Sequence, residues 1–335
     1  MKYLFFSLLV FVMACQSSNQ QEESAEATPV STGQEKSWQE VDMQNEPTAR
    51  HENAFVEADG KFYLIGGRGE RPVDIYDPET KTWRQGQSPP LEMHHFQAVA
   101  HEGKVYVMGA LTGGYPDEQP IPNIYIYDPA SDSWTKGPEI PEGRRRGAAG
   151  AFVHDGKFYL VNGIQNGHTN GYVSWLDMYD PASGEWTKLA DAPHQRDHVQ
   201  AAVVDNKIVV AGGRTTSAET GQSLELTRPE VDVYDMASGT WTTLEQEIPT
   251  QRAGTTSVIL DDKLIIIGGE SGAMEAAHHQ AEALDLASGE WSSLPSLNQG
   301  RHGTQAIVYD GKIYIAAGSG NRGGGPELTS MEVYQ

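Results

Sequence analysis

RHENAFVEADGKFYLIGGRGERPVDIYDPETKTW, residues 50–83, sets the grammar of the chain. It opens on an Arg-His cluster, then an apolar stretch runs to the polar turn Asp59-Gly60-Lys61. Phe62-Tyr63-Leu64-Ile65 follows and halts at Gly66-Gly67, and after a variable loop come Ile75-Tyr76-Asp77-Pro78 and a closing Trp83. Short apolar runs bounded by Gly, Asp and Pro read as strands joined by tight turns, not as helices. The same grammar returns five more times. Its stops fall at Gly66-Gly67, Gly109-Ala110, Asn162-Gly163, Gly212-Gly213, Gly268-Gly269 and Ala317-Gly318. Its closing tryptophans are Trp38, Trp83, Trp134, Trp186, Trp241 and Trp291. Four short strands repeating every fifty residues or so predict one large closed domain.

The glycine doublet, the Tyr-Asp-Pro element and the trailing Trp resemble Kelch repeats across residues 38–335. The resemblance implies an all-β, six-bladed Kelch β-propeller, a fold that hosts enzymes, sugar binders and docking modules and so assigns no function by itself. Trp38-Gln39-Glu40-Val41 is a closing strand without the three that should precede it, and Arg301 to Tyr334 has three without the fourth. The N-terminal strand is therefore expected to pair in the last blade and close the ring.

Ahead of the repeats, Met1-Lys2-Tyr3 and LFFSLLVFVMA end at Cys15, the chain's one cysteine. Val12-Met13-Ala14-Cys15 resembles a bacterial lipobox, which implies a signal peptide over 1–14, acylation of Cys15 and a lipid-anchored place in the bacterial cell envelope. Residues 15–37 are polar, acidic and free of aromatics, the composition of a tether. A formal charge of −22 repels a polyphosphate backbone, so nucleic acid is not an expected partner and membrane contact is expected through the lipid only.

In a propeller of this kind the links between second and third strands, and from one blade to the next, share one face. That face carries the long insertions, Leu111 to Pro122, Ile164 to Ser174, Arg214 to Pro229, Glu270 to Gln280 and Ser319 to Thr329. Counting back sixteen residues from each stop gives Arg50, Met93, Arg146, Arg196, Arg252 and Arg301. The next positions supply His51-Glu52, His94-His95, Asp197-His198 and His302. Symmetry should gather these at one channel mouth, with His168, Arg214 and Glu270 from the loops. Each arginine has a structural reading, tying the scaffold through carbonyls and carboxylates. Together they have a ligand reading, since many cations with few acids at the same positions invite an anionic or polyhydroxy ligand.

His51, His94, His95, His198 and His302 also admit a metal reading, which neighbouring arginines oppose, so no metal and no cofactor are expected. Galactose oxidase, a Kelch-type enzyme, needs a cysteine cross-linked to tyrosine, and the mature chain would have none. A second resemblance, to bacterial N-acetylneuraminate epimerase, implies mutarotation of a sugar acid with Glu52, His95 or His198 moving protons. The leading expectation is a module that binds a carbohydrate, neutral or acidic, or a partner protein at the channel mouth, with a carbohydrate-active enzyme as the alternative.

Overall fold

The computed structural model describes Met1 and residues 36–335; Cys15 and most of the expected tether lie outside the described residues. Residues 36–335 form six four-stranded antiparallel sheets arranged as a six-bladed propeller. Blade 1 runs Asn53–Ala58, Lys61–Gly66, Asp74–Asp77 and Thr82–Gln85 from the inside outward. Blade 6 takes Ala306–Tyr309, Lys312–Ala316 and Met331–Tyr334 from the C-terminus and its outer strand, Trp38–Glu40, from the N-terminus. Trp38 faces Tyr334 and Glu40 faces Glu332 across that last pair, and Ser37 extends it by exchanging backbone hydrogen bonds with Gln335.

Alternation along each strand explains why both its faces are apolar. Phe62 and Leu64 pack toward blade 6 with Ile307 and Ala316, while Tyr63 and Ile65 pack toward blade 2 with Val105 and Val107. Equivalent apolar seams join the remaining blades, so the core is a ring of interfaces between sheets.

The repeat's signature residues each have a mechanical role. Tyr76 lies opposite Trp83 in the register, with ring centroids 5.0 Å apart. Four of the six outer tryptophans, Trp38, Trp134, Trp186 and Trp241, then reach back: the indole N–H of Trp134 donates to the Gln87 carbonyl of blade 1, and that of Trp38 to the Pro295 carbonyl at the end of blade 5. The inner hairpins turn through two residues of positive φ, such as Asp59 at 48° and Gly60 at 75°, the type I′ geometry whose twist matches the strands.

Candidate functional site

The five arginines do not face the channel mouth, which corrects the ligand reading for Arg50, Arg146, Arg196, Arg252 and Arg301. All are at most 1% exposed. The sixteen-residue spacing is the span of a hydrogen bond, from Arg196 Nη1 to the Gly212 carbonyl (2.8 Å) and from Arg252 Nε to the Gly268 carbonyl (2.7 Å), for example. Each guanidinium also meets an acid on the third strand of its own blade, in the pairs Arg50–Asp74, Arg146–Asp177, Arg196–Asp232, Arg252–Glu282 and Arg301–Glu332. Burial lowers Arg50 and Arg146 to about 10 against the pull of those carboxylates, which still leaves both charged at neutral pH. Sequence reading missed these counter-ions because they sit two residues before the blade's Tyr or Leu, far from the arginine along the chain. A signal existed: blade 2, which has Met93 instead of arginine, has Tyr125 at the acid's position, and both pack in one apolar cluster.

The mouth is built one turn further in. At the second position past each arginine, and past Met93 in blade 2, Glu52, His95, Ala148, His198, Gly254 and Gly303 all have φ between 50° and 62°. Backbone bonds from His95 N–H to the Glu52 carbonyl, Ala148 to His95, Gly254 to His198 and Gly303 to Gly254 belt the bore there. Glycine is the low-cost residue for this conformation, and non-glycine residues held there cost roughly 1–2 kcal/mol each. Gly303 has a second reason: a Cβ there would lie 2.8 Å from the Glu52 carboxylate, so blade 6 yields the space that Glu52 fills.

Below this belt alternate blades are tied across the bore. Gln97 Nε2 donates to the Ala201 carbonyl, Gln200 Nε2 to Thr304 and Gln305 Nε2 to Ala98, linking blades 2, 4 and 6 in a triangle of buried amides. Above it opens a cavity of about 480 Å³, walled by His51, Glu52, Arg68, Tyr115, Arg214 and Leu224 among others. The second-to-third-strand loops supply most of this wall, and they deliver His168 and Glu118 as well. Gly167 makes that delivery possible, since a Cβ on it would lie 2.5 Å from the backbone of Pro116 and Glu118.

Of the histidines, His95, His168 and His198 converge, with one ligand nitrogen of each within 4.8 Å of the others. His198 Nε2 and His168 Nε2 are 3.1 Å apart. His198 Nδ1 meets Asp197 at 2.5 Å, and His168 Nδ1 meets Glu118 at 3.0 Å. His94 stands behind His95, their Nδ1 atoms 2.6 Å apart, and its Nε2 donates to the Gly113 carbonyl at 3.0 Å. His51 and His302 stay apart from this group: His51 pairs with Glu327, and His302 donates to the carbonyls of Asn321 and Gly323. Burial, with Arg68 nearby, pushes His94 down to about 4; burial and the surrounding histidines hold His95 well below the usual imidazole range. Burial and Arg214 lower His198 in spite of Asp197.

The carboxylates go the other way. Burial alone would raise Glu52, yet His302, His51 and His198 together hold it below the ordinary range. Glu270 is depressed in the same fashion, burial being outweighed by His302 and Arg214, whose Nη1 it meets at 2.5 Å. Arg68, Tyr115 and Glu118 were not legible as site residues. Arg68 had a signal, since it follows the stop Gly66-Gly67 just as Arg214 and Glu270 follow theirs; Tyr115 and Glu118 sit in a loop that no repeat aligns.

Residues 10–278 match the family model described as the attractin/LZTR1 β-propeller. The chain is 30% identical over 271 residues to Kelch-like protein terF of Aspergillus terreus, covering 78% of this chain and 56% of that protein. It is 26% identical over 290 residues to human Kelch-like protein 23, covering 85% and 48%. The chain thus spans about half the length of the curated relatives it matches. The solved structure titled "Structure of YjhT" superposes with a TM-score of 0.73 over 86% of this chain and 95% of that one, and at 17% identity the likeness is one of fold.

Proposed function

This chain belongs to the attractin/LZTR1 β-propeller family of Kelch-repeat proteins, and from that premise we propose that its loop-rich channel mouth binds a small polyhydroxylated ligand of the carbohydrate class. The observation that carries the reading is the cavity of about 480 Å³, a size typical of ligand pockets, with apolar surface from Tyr115 and Leu224 beside the polar side chains of Glu52, Arg214 and Glu270. His51 lines this cavity, and its buried Nε2 has no hydrogen-bond partner among the described residues, which is capacity that a ligand hydroxyl would satisfy. Tyr115, 58% exposed, offers its ring to a sugar face.

Charge favours a neutral sugar over a sugar acid. With the arginine ring neutralised inside the blades, the mouth holds four carboxylates, Glu52, Glu118, Asp197 and Glu270, against two guanidiniums, Arg68 and Arg214. A further carboxylate would enter against that excess.

Calorimetry with a panel of neutral and acidic sugars tests the reading, with Tyr115→Ala as the control that leaves the core untouched. Saturable binding of a neutral sugar, weakened by about 1 kcal/mol in Tyr115→Ala, supports it. Binding of acidic sugars alone, or of none, defeats it, and none leaves the rim to a protein partner. One observation favours a catalytic version: the Glu52 carboxylate, held below its ordinary range, lies 3.4 Å from His95 Nε2 and 3.6 Å from His302 Nδ1, a base flanked by two imidazoles. Accelerated anomeric exchange of the bound sugar by NMR would mark a mutarotase, and unchanged exchange a binding module.

The Val12-Met13-Ala14-Cys15 motif supports placing this mouth at the bacterial cell envelope on an acylated Cys15. Mass spectrometry of the mature chain tests this, a lipid-free protein cleaved elsewhere being the contrary result.

A further inference from the structure

We propose that His95, His168 and His198 bind a divalent transition-metal ion at the floor of the mouth, with Zn²⁺ the ion that best fits their chemistry. The separation of 3.1 Å between Nε2 of His168 and of His198 is close to the ~3.3 Å between two nitrogens around a tetrahedral zinc. The third nitrogen, from His95, lies within 4.8 Å of both.

Their tautomers are fixed from behind. A carboxylate only accepts, so His168 Nδ1 donates to Glu118 and His198 Nδ1 donates to Asp197, leaving each Nε2 with its lone pair. The Gly113 carbonyl likewise takes the Nε2 proton of His94, whose Nδ1 then accepts from His95 Nδ1. His95 is left with its own Nε2 lone pair, with the Glu52 carboxylate 3.4 Å from that nitrogen as a further anionic neighbour that a cation would offset. Three lone pairs turned into one enclosed space repel each other, and a cation converts that repulsion into coordination. Imidazoles held by a carboxylate or a carbonyl chain on the far nitrogen have the outer-shell arrangement that orients metal ligands.

Electrostatics agree. Four carboxylates against two guanidiniums leave the mouth with an anionic excess that a divalent ion would offset. The arginines that argued against a metal in the sequence are neutralised within their blades and at most 1% exposed. Three protein ligands leave a zinc ion an open position. The inference does not rest on the carbohydrate reading: zinc is titrated without sugar, and the sugar panel is run on the metal-stripped chain, because a bound divalent ion would cancel the carboxylate excess that disfavours acidic sugars.

The test uses the full chain without a histidine tag, stripped by a chelator and titrated with Zn²⁺ by calorimetry and with Co²⁺ by visible absorption. The expected result is one ion per chain, intense d–d bands of four- or five-coordinate Co²⁺ and a melting temperature that rises with added Zn²⁺. His168→Gln should weaken zinc binding by more than about 100-fold, and Glu118→Gln, which removes only the charge behind His168, by about 10–100-fold. The metal-free melting temperature of each variant reports whether it folds, and the wild-type Co²⁺ spectrum stands without either. A Co²⁺ spectrum like that of the hydrated ion would overturn the proposal. So would absence of stoichiometric zinc binding, the result if the imidazoles share a proton instead, or full affinity in folded His168→Gln.

Discussion

Arg196 donates to the carbonyl of Gly212, sixteen residues ahead, at 2.8 Å, and that bond converts a spacing in the sequence into the frame of a blade. The same guanidinium takes the Glu230 carbonyl at 2.9 Å and Asp232 at 2.6 Å, so one planar group pins three strand ends together. The backbone carbonyl of the next arginine, Arg252, accepts from Gly213 N–H at 3.0 Å, and Gly318 N–H donates to Arg50 in the same way, carrying the pattern across the seam from blade 6 to blade 1. The arginine series is thus a device of the scaffold, and it fixes the inner-strand start from which Glu52, His95 and His198 project.

The seam should depend on Trp38. Its ring is 5% exposed, packs 5.4 Å from Tyr334 and donates to Pro295. Trp38→Ala is expected to cost about 3–5 kcal/mol in urea unfolding, the range for a buried aromatic. Trp291→Phe, which removes an indole N–H that has no partner among the described residues, should cost far less. Equal losses in the two variants would show that the N-terminal strand contributes little to closure.

The blade 5 hairpin carries strain that four of its five siblings avoid, the blade 4 pair Asp205-Asn206 being the exception. Asp261 and Asp262 have φ of 51° and 58°, where blades 1, 2, 3 and 6 place glycine second. Asp262→Gly should raise stability by roughly 0.5–1 kcal/mol because the left-handed conformation costs glycine nothing. A lower melting temperature for this variant would contradict the account of the turn.

Acid should loosen the outer hairpins. Asp77 is held below the ordinary carboxylate range by Lys61 first and by the Glu79 and Thr80 N–H groups, Asp180 by the Ala182 N–H and Asp285 by the Ser288 N–H. A folded-state pKa below the unfolded value means stability that is present above about pH 4 and is lost as pH falls through the folded value. Melting temperature should therefore drop steadily below that point. Asp77→Asn, which keeps the turn's acceptor oxygen, should flatten the dependence, and an unchanged pH profile would refute the assignment.

The fold was legible because each blade is the same sentence with the same punctuation. Glycine stops, Tyr-Trp pairs and polar turns recur at fixed offsets, and each offset is a local hydrogen bond or a cross-strand contact. Positions inside the repeat were legible too, which is why the sequence places Glu52, His95 and His198 at the channel mouth. The arginines were placed correctly in the repeat but pointed the wrong way in function, since their acids lie on another strand. Glu118 and Tyr115 escaped for a different reason: a loop of individual length has no equivalent in other blades, so nothing in its sequence says that Gly167 lets it close on His168. The amide triangle of Gln97, Gln200 and Gln305 escaped because it links every second blade, a symmetry that comparison of adjacent repeats does not show.

Arg196 and His198 are two residues apart, and the account gives them opposite roles, so one paired measurement tests it most directly: unfolding free energy and zinc affinity on Arg196→Lys and His198→Gln. Arg196→Lys should lose about 2 kcal/mol or more of stability, because an ammonium cannot replace the fork, while its folded fraction keeps wild-type affinity. His198→Gln should lose zinc affinity by more than about 100-fold with the smaller change in metal-free stability. The reverse pattern, affinity lost in folded Arg196→Lys and retained in His198→Gln, would contradict the separation of scaffold from site.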